Sequence, residues 1–154
     1  MKYLPITYLK HQVAANTGGG DAVSGTWVAR PLNTIEGDTA SVSLNTATFV
    51  FTLLAGTYDI EGSAPFFDVD SCRIKIRNIT NSADAIIGAT SFINDADESQ
   101  VYSPIAGIIT ITSSMSFELQ YRVTLSRVTF GLGLTTSDFG VPEIYAQIKI
   151  TRIR

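Results

Sequence analysis

An all-β domain is the fold class the sequence predicts, and three observations predict it. Apolar and polar residues alternate with period two through several stretches, while the 3.6-residue period of an amphipathic helix is hard to find. Clusters of turn-forming residues separate those stretches. No segment recurs at a fixed period, which disfavours a solenoid or a propeller. With 154 residues, 45% of them hydrophobic, the chain is long enough for one core and one folded body.

The elements follow in order. Residues 1–15 read as an extended arm. Tyr3, Leu4, Ile6, Tyr8 and Leu9 make it too apolar for a solvated tail, it is too short to form its own core, and Pro5 favours an extended backbone. Asn16, Thr17 and Gly18-Gly19-Gly20-Asp21 read as a flexible linker, because three consecutive glycines oppose any ordered element. The expected organisation is therefore an arm and linker over 1–21 and a β domain over 22–154, its strands beginning near Trp27. Tyr58 and Ile60 alternate with Asp59 and Glu61, which predicts a strand with one buried face. The same holds for Cys72, Ile74 and Ile76 against Arg73, Lys75 and Arg77. Thr80 to Asp84 closes a hairpin, and Asn94 to Ser99 is an acidic loop. In SFELQYRVTLS, residues 116–126, Phe117, Leu119, Tyr121, Val123 and Leu125 alternate with Glu118, Gln120, Arg122 and Thr124. A glycine-containing connection over 131–142 leads to the last strand, where Ile144, Ala146, Ile148 and Ile150 alternate with Tyr145, Gln147 and Lys149. The expected core is Tyr58, Ile60, Ile74, Ile76, Leu119, Val123, Ile148 and Ile150.

Composition narrows the function. A net charge of −3 with only 16% charged residues leaves no basic field for a phosphate backbone, so no nucleic-acid partner is expected. The N-terminal apolar run is broken by Pro5 and Thr7 and does not read as a secretion signal. No run approaches the length of a membrane-spanning helix, so the expectation is a soluble protein made in a cytoplasm, with no membrane partner. The single cysteine, Cys72, can form no disulfide within the chain, and the single histidine, His11, lies in the arm. No Ser-His or Cys-His pair can then be built in the core, and the expectation is a protein without enzymatic activity or cofactor. Asp95, Asp97 and Glu98 offer hard oxygen ligands but lack the ligand spacing and central glycine of an EF-hand, and they read as a solvated loop.

Four stretches carry a resemblance: GTYDIEGSAPFF (56–67), CRIKIRNITNSADAIIGAT (72–90), FELQYRV (117–123) and FGVPEIYAQIKITR (139–152). Together they resemble a domain of tailed-phage structural proteins, similar in fold to the C1q and tumour-necrosis-factor jelly roll. Trp27 and the turn Leu54-Ala55-Gly56-Thr57-Tyr58 stand in the family's order, with Ala55 replacing the usual proline. The resemblance spans about residues 22–154. It implies a two-sheet jelly roll assembling as a homotrimer, the terminal strand near the threefold axis, with Glu118, Gln120, Arg122, Tyr145 and Gln147 as candidate interface residues. It also implies a virion protein assembled in the host cytoplasm. The first expectation is a capsid decoration or cement protein whose arms, through Tyr3, Leu4, Ile6, Tyr8 and Leu9, dock on the major capsid protein or another virion protein. The second is a tail-associated head that binds a host surface glycan or protein.

Overall fold

The computed structural model describes residues 3–154; Met1 and Lys2, at the head of the expected arm, lie outside the described residues. Twelve strands follow one another among those residues: β1 (Ile6–Val13), β2 (Val28–Ala29), β3 (Thr34–Gly37), β4 (Val42–Leu44), β5 (Phe51–Leu53), β6 (Gly56–Phe67), β7 (Asp70–Asn78), β8 (Ala83–Ile87), β9 (Ser91–Ile93), β10 (Gln100–Ile111), β11 (Met115–Val123) and β12 (Glu143–Arg152). The only helical turn among them is the short one at Asp95–Asp97. The strands form two antiparallel sheets. One is five-stranded in the order β10-β6-β12-β1-β3. The other runs β4-β5-β11-β7-β8, with β2 continuing alongside β11 and β9 alongside β7. Neighbours in space are mostly distant in sequence, as a jelly roll requires.

The core fills the space between the sheets. Tyr58, Ile60, Ile148 and Ile150 come from one side and Ile74, Ile76, Leu119 and Val123 from the other, all buried, as their alternation predicts. Leu9, Phe51, Phe66 and Phe117 are fully enclosed with them. Phe51 and Phe117 stack at 5.7 Å between ring centroids, a stacked aromatic pair across β5 and β11. The hairpin over 80–84 is present. Asn78 Oδ1 accepts from the amides of Thr80 and Asn81 at 3.0 and 3.2 Å, and Ser82 takes a left-handed φ of 57°.

The arm is the main correction. Ile6–Val13 is an inner strand of the five-stranded sheet, paired with β12 from Ile6↔Thr151 to Val13↔Glu143 and with β3 from Thr7↔Gly37 to Lys10↔Thr34. Thr7, Leu9 and His11 are buried; Ile6 is exposed and Tyr8 half-buried on the opposite face. Among the described residues, Tyr3 and Leu4 precede the sheet, and the Pro5 carbonyl accepts from the Arg152 amide at 3.0 Å. Of the five apolar residues expected to dock on a neighbour, Leu9 lies in the chain's own core, while Tyr3, Leu4 and Ile6 stay exposed and Tyr8 half-buried.

The linker reading fails for a related reason. Gly18 and Gly19 lie flat against residues 129–133, with the Gly19 amide donating to the Gly133 carbonyl at 2.9 Å and the Gly20 amide to the Thr129 carbonyl at 2.9 Å. A Cβ on Gly18 would meet the Thr129 carbonyl and the Phe130 ring, and one on Gly19 the Leu132 carbonyl. These glycines permit close backbone approach rather than flexibility.

Candidate functional site

The five candidate interface residues do not share a surface. Glu118, Gln120 and Arg122 lie on the outer face of the β4-β5-β11-β7-β8 sheet, where they stand opposite Arg77, Lys75 and Arg73 of β7. Gln147 lies on the outer face of the five-stranded sheet, across the sandwich. Tyr145 lies on neither. Between Lys10↔Gln147 and Gln12↔Ile144 the ladder advances two residues on β1 but three on β12, so β12 carries a bulge there. The bulge turns Ile144 outward, where it is 45% exposed, and Tyr145 inward, where it is 5% exposed. The Tyr145 hydroxyl donates to the Thr17 carbonyl at 2.6 Å, and its ring packs 5.7 Å from His11. Burial pushes the Tyr145 phenol up to about 12. Tyr145 thus holds the N-terminal segment to the body.

A surface suited to association does exist, and its centre is β10. This strand is the edge of the five-stranded sheet and pairs with β6 along its whole length. Ser103, Ile105, Ile109 and Ile111 face the core. The alternate positions are also largely apolar: Tyr102 is 53% and Ile108 64% exposed, with Pro104 and Ala106 between them. Beside them an open depression of about 750 Å³ is bordered by Tyr102, Ala106, Gly62, Ile144 and Gln147. The charged groups of this face are only partly paired: Asp59 of β6, exposed opposite Ile108, has no cation within ion-pair distance among the described residues. Lys149 Nζ meets Glu61 at 3.2 Å, which raises the Lys149 ammonium above its usual range, and Lys10 Nζ meets Glu36 at 2.8 Å.

The sequence held a signal for this surface. QVYSPIAGIITI is apolar at both parities, the pattern of a strand covered on two sides rather than one.

His11 is buried, its Nδ1 has no partner, and burial followed by the Arg30 charge pulls its pKa down to about 4. Arg30 is fully buried, donating to the Pro65 and Leu132 carbonyls at 3.2 and 2.6 Å and lying over the Phe66 ring, with no carboxylate within ion-pair distance among the described residues. Cys72 is buried and its thiol is pushed up to about 12. Asp95, Asp97 and Glu98 are exposed, and among the described residues no group of three ligating side chains is placed to hold a metal ion.

Comparison with solved structures places this geometry. Murine APRIL at pH 8.0 superposes with a TM-score of 0.60 over 98% of this chain and the whole of that one, at 8% identity. Eiger TNF from S. frugiperda gives 0.56 over 99% and 94% of the two chains at 9% identity. The globular domain of zebrafish complement 1qA gives 0.52 over 97% and 98% at 11% identity. The fold is a TNF/C1q-like jelly roll. No protein-family model and no curated protein matches the sequence. At such identities the likeness is one of architecture, retained with almost none of the side chains that express it.

Proposed function

We propose that this chain is a non-enzymatic module that assembles as a homotrimer through the outer face of its five-stranded sheet and serves as the trimeric head of a tailed-phage virion protein. The observation that carries the assembly reading is the apolar strip of Tyr102, Ala106 and Ile108 on β10, beside Ile144 on β12. Single exposed apolar residues are ordinary, but several of them along the outward side of one strand are what a symmetric interface uses. The virion setting rests on the sequence resemblance.

Of the two virion roles, the recognition head is favoured over capsid decoration by the state of β1. Decoration through arms requires residues 1–15 to leave the body and find a neighbour. Releasing them would break the ladders to β12 and β3 and expose Leu9, whose burial alone is worth about 1.5–3 kcal/mol. A recognition head needs no such release.

The test compares Ile108→Asp, on the assembly face, with Gln120→Asp, on the opposite sheet. Light scattering should show Ile108→Asp dissociated with its circular dichroism intact, and Gln120→Asp unchanged. Equal retention of the oligomer in both variants would refute the assignment of the face. Copy number in purified particles then separates the roles, since a head at the tail is present in few copies and a decoration protein in many.

A further inference from the structure

The outer face of the other sheet carries a cleft that association through β10 would leave open. It is about 250 Å³ and lies between β7, β11 and the segment leading into β2, bordered by Trp27, Arg73, Arg122, Thr90, Ser71 and Thr124. Arg73 and Arg122 stand directly opposite each other across the β7–β11 ladder. Like charges in that position are destabilising unless something negative joins them. Nothing in the described chain does: Lys75 and Arg77 share Asp84, and Arg127 reaches Asp68, but neither Arg73 nor Arg122 has a carboxylate within ion-pair distance. Two arginines at paired positions with no carboxylate partner are conspicuous in a chain of net charge −3.

The cleft is also partly pre-set. Arg73 Nε donates to the Gly88 carbonyl at 2.7 Å, which orients the guanidinium while leaving its two terminal nitrogens unengaged by the chain. The Trp27 indole is held over the sheet by the Lys75 ammonium, 4.3 Å from its centroid, and Lys75 is itself anchored on Asp84 at 2.8 Å. An aromatic wall, two guanidinium groups and the Thr90 and Ser71 hydroxyls together describe a ligand. It has an apolar C–H face, a carboxylate and several hydroxyls, and its size matches one ring rather than a chain of them. An inorganic anion would make no use of the indole, and an alkyl carboxylate none of the hydroxyls.

We propose that this cleft binds a carboxylate-bearing sugar unit, of the uronic or sialic acid class, with Arg73 and Arg122 on the carboxylate and Trp27 against the ring. The inference rests on the recognition-head reading, for which it names the ligand class. In a trimer, three such clefts would face outward, so weak single-site binding could add up on a surface dense in acidic glycan.

Titration of the full chain with glucuronate and with N-acetylneuraminate, read by saturation-transfer NMR or calorimetry, tests it against glucose and acetate as controls. At least one acidic sugar should bind, glucose and acetate should bind at least roughly tenfold more weakly, and Arg73→Gln or Arg122→Gln should each weaken binding by roughly tenfold or more, with circular dichroism showing the fold intact. Both arginines are exposed, so the variants should fold. Failure of both acidic sugars to bind would overturn the proposal, as would acetate binding as tightly as the sugars or binding unaffected by either substitution. Oligomeric mass measured on the same sample keeps the two readings apart. A trimer that binds no acidic sugar refutes the cleft alone, and a monomer that binds one refutes the assembly alone.

Discussion

Leu9→Ala decides whether residues 6–13 belong to the fold or to a docking arm. Leu9 is fully buried, opposite Ile148 of β12 on one side and Ile35 of β3 on the other. Both neighbours are fixed by their ladders, so the sheet has little room to close over a cavity, and the loss should fall in the upper part of the range for buried Leu→Ala changes, about 3–5 kcal/mol. Domains of this kind have total stabilities of about 5–15 kcal/mol, so the effect is a large fraction of the whole. At about 2–4 °C per kcal/mol for this chain length, melting should fall by roughly 6–20 °C. Leu4→Ala is the internal control, since Leu4 is 46% exposed beyond the strand and should change stability by no more than about 0.5 kcal/mol. Thermal melts and urea titrations at one fixed protein concentration measure both, with the urea slope checking that the transition is otherwise unchanged. A free arm predicts the same negligible loss at both positions. Melting of Leu9→Ala within about 2 °C of the parent would refute the placement of β1.

Three further outcomes follow from the buried groups. Tyr145→Phe should cost about 0.5–1.5 kcal/mol through the lost bond to the Thr17 carbonyl and leave the oligomer intact; dissociation without loss of stability would return Tyr145 to an interface. His11 binds its proton at about pH 4 when folded, against 6.5 when unfolded, so the unfolded state takes up more protons between those values. Its contribution is therefore complete above pH 6.5 and is lost as pH falls through 4, about 3 kcal/mol in all, and His11→Gln should flatten the stability profile between pH 6.5 and 5. Cys72 should resist thiol reagents at pH 8 in the folded protein and react at once in denaturant; rapid labelling under native conditions would contradict its burial.

Local chemistry was legible in the sequence to the extent that it is local. Period-two alternation located β6, β7, β11 and β12 and assigned the eight expected core residues to the correct face, because side-chain direction in a strand follows from position alone. Tyr145 was misassigned because one extra residue in β12 reverses the parity beyond it, and a bulge has no period. The triple glycine gives the same composition whether a segment is free or pressed against another backbone, and only the path of residues 129–133 distinguishes the two. That Glu118 and Gln147 lie on opposite sides of the sandwich depends on which strands pair. Pairings such as β1 with β12 join segments more than a hundred residues apart, which no local pattern encodes. The exposed apolar side of β10 was more accessible than it seemed, since Tyr102, Ala106 and Ile108 alternate with Ile105 and Ile109 in plain view.

The central claim is that the apolar face of the five-stranded sheet is covered by copies of the same chain. Sedimentation equilibrium of the full chain, from high to low micromolar concentration, tests this most directly. The account predicts a species of three times 16.6 kDa that persists across the series. A single species of 16.6 kDa at every concentration would contradict it.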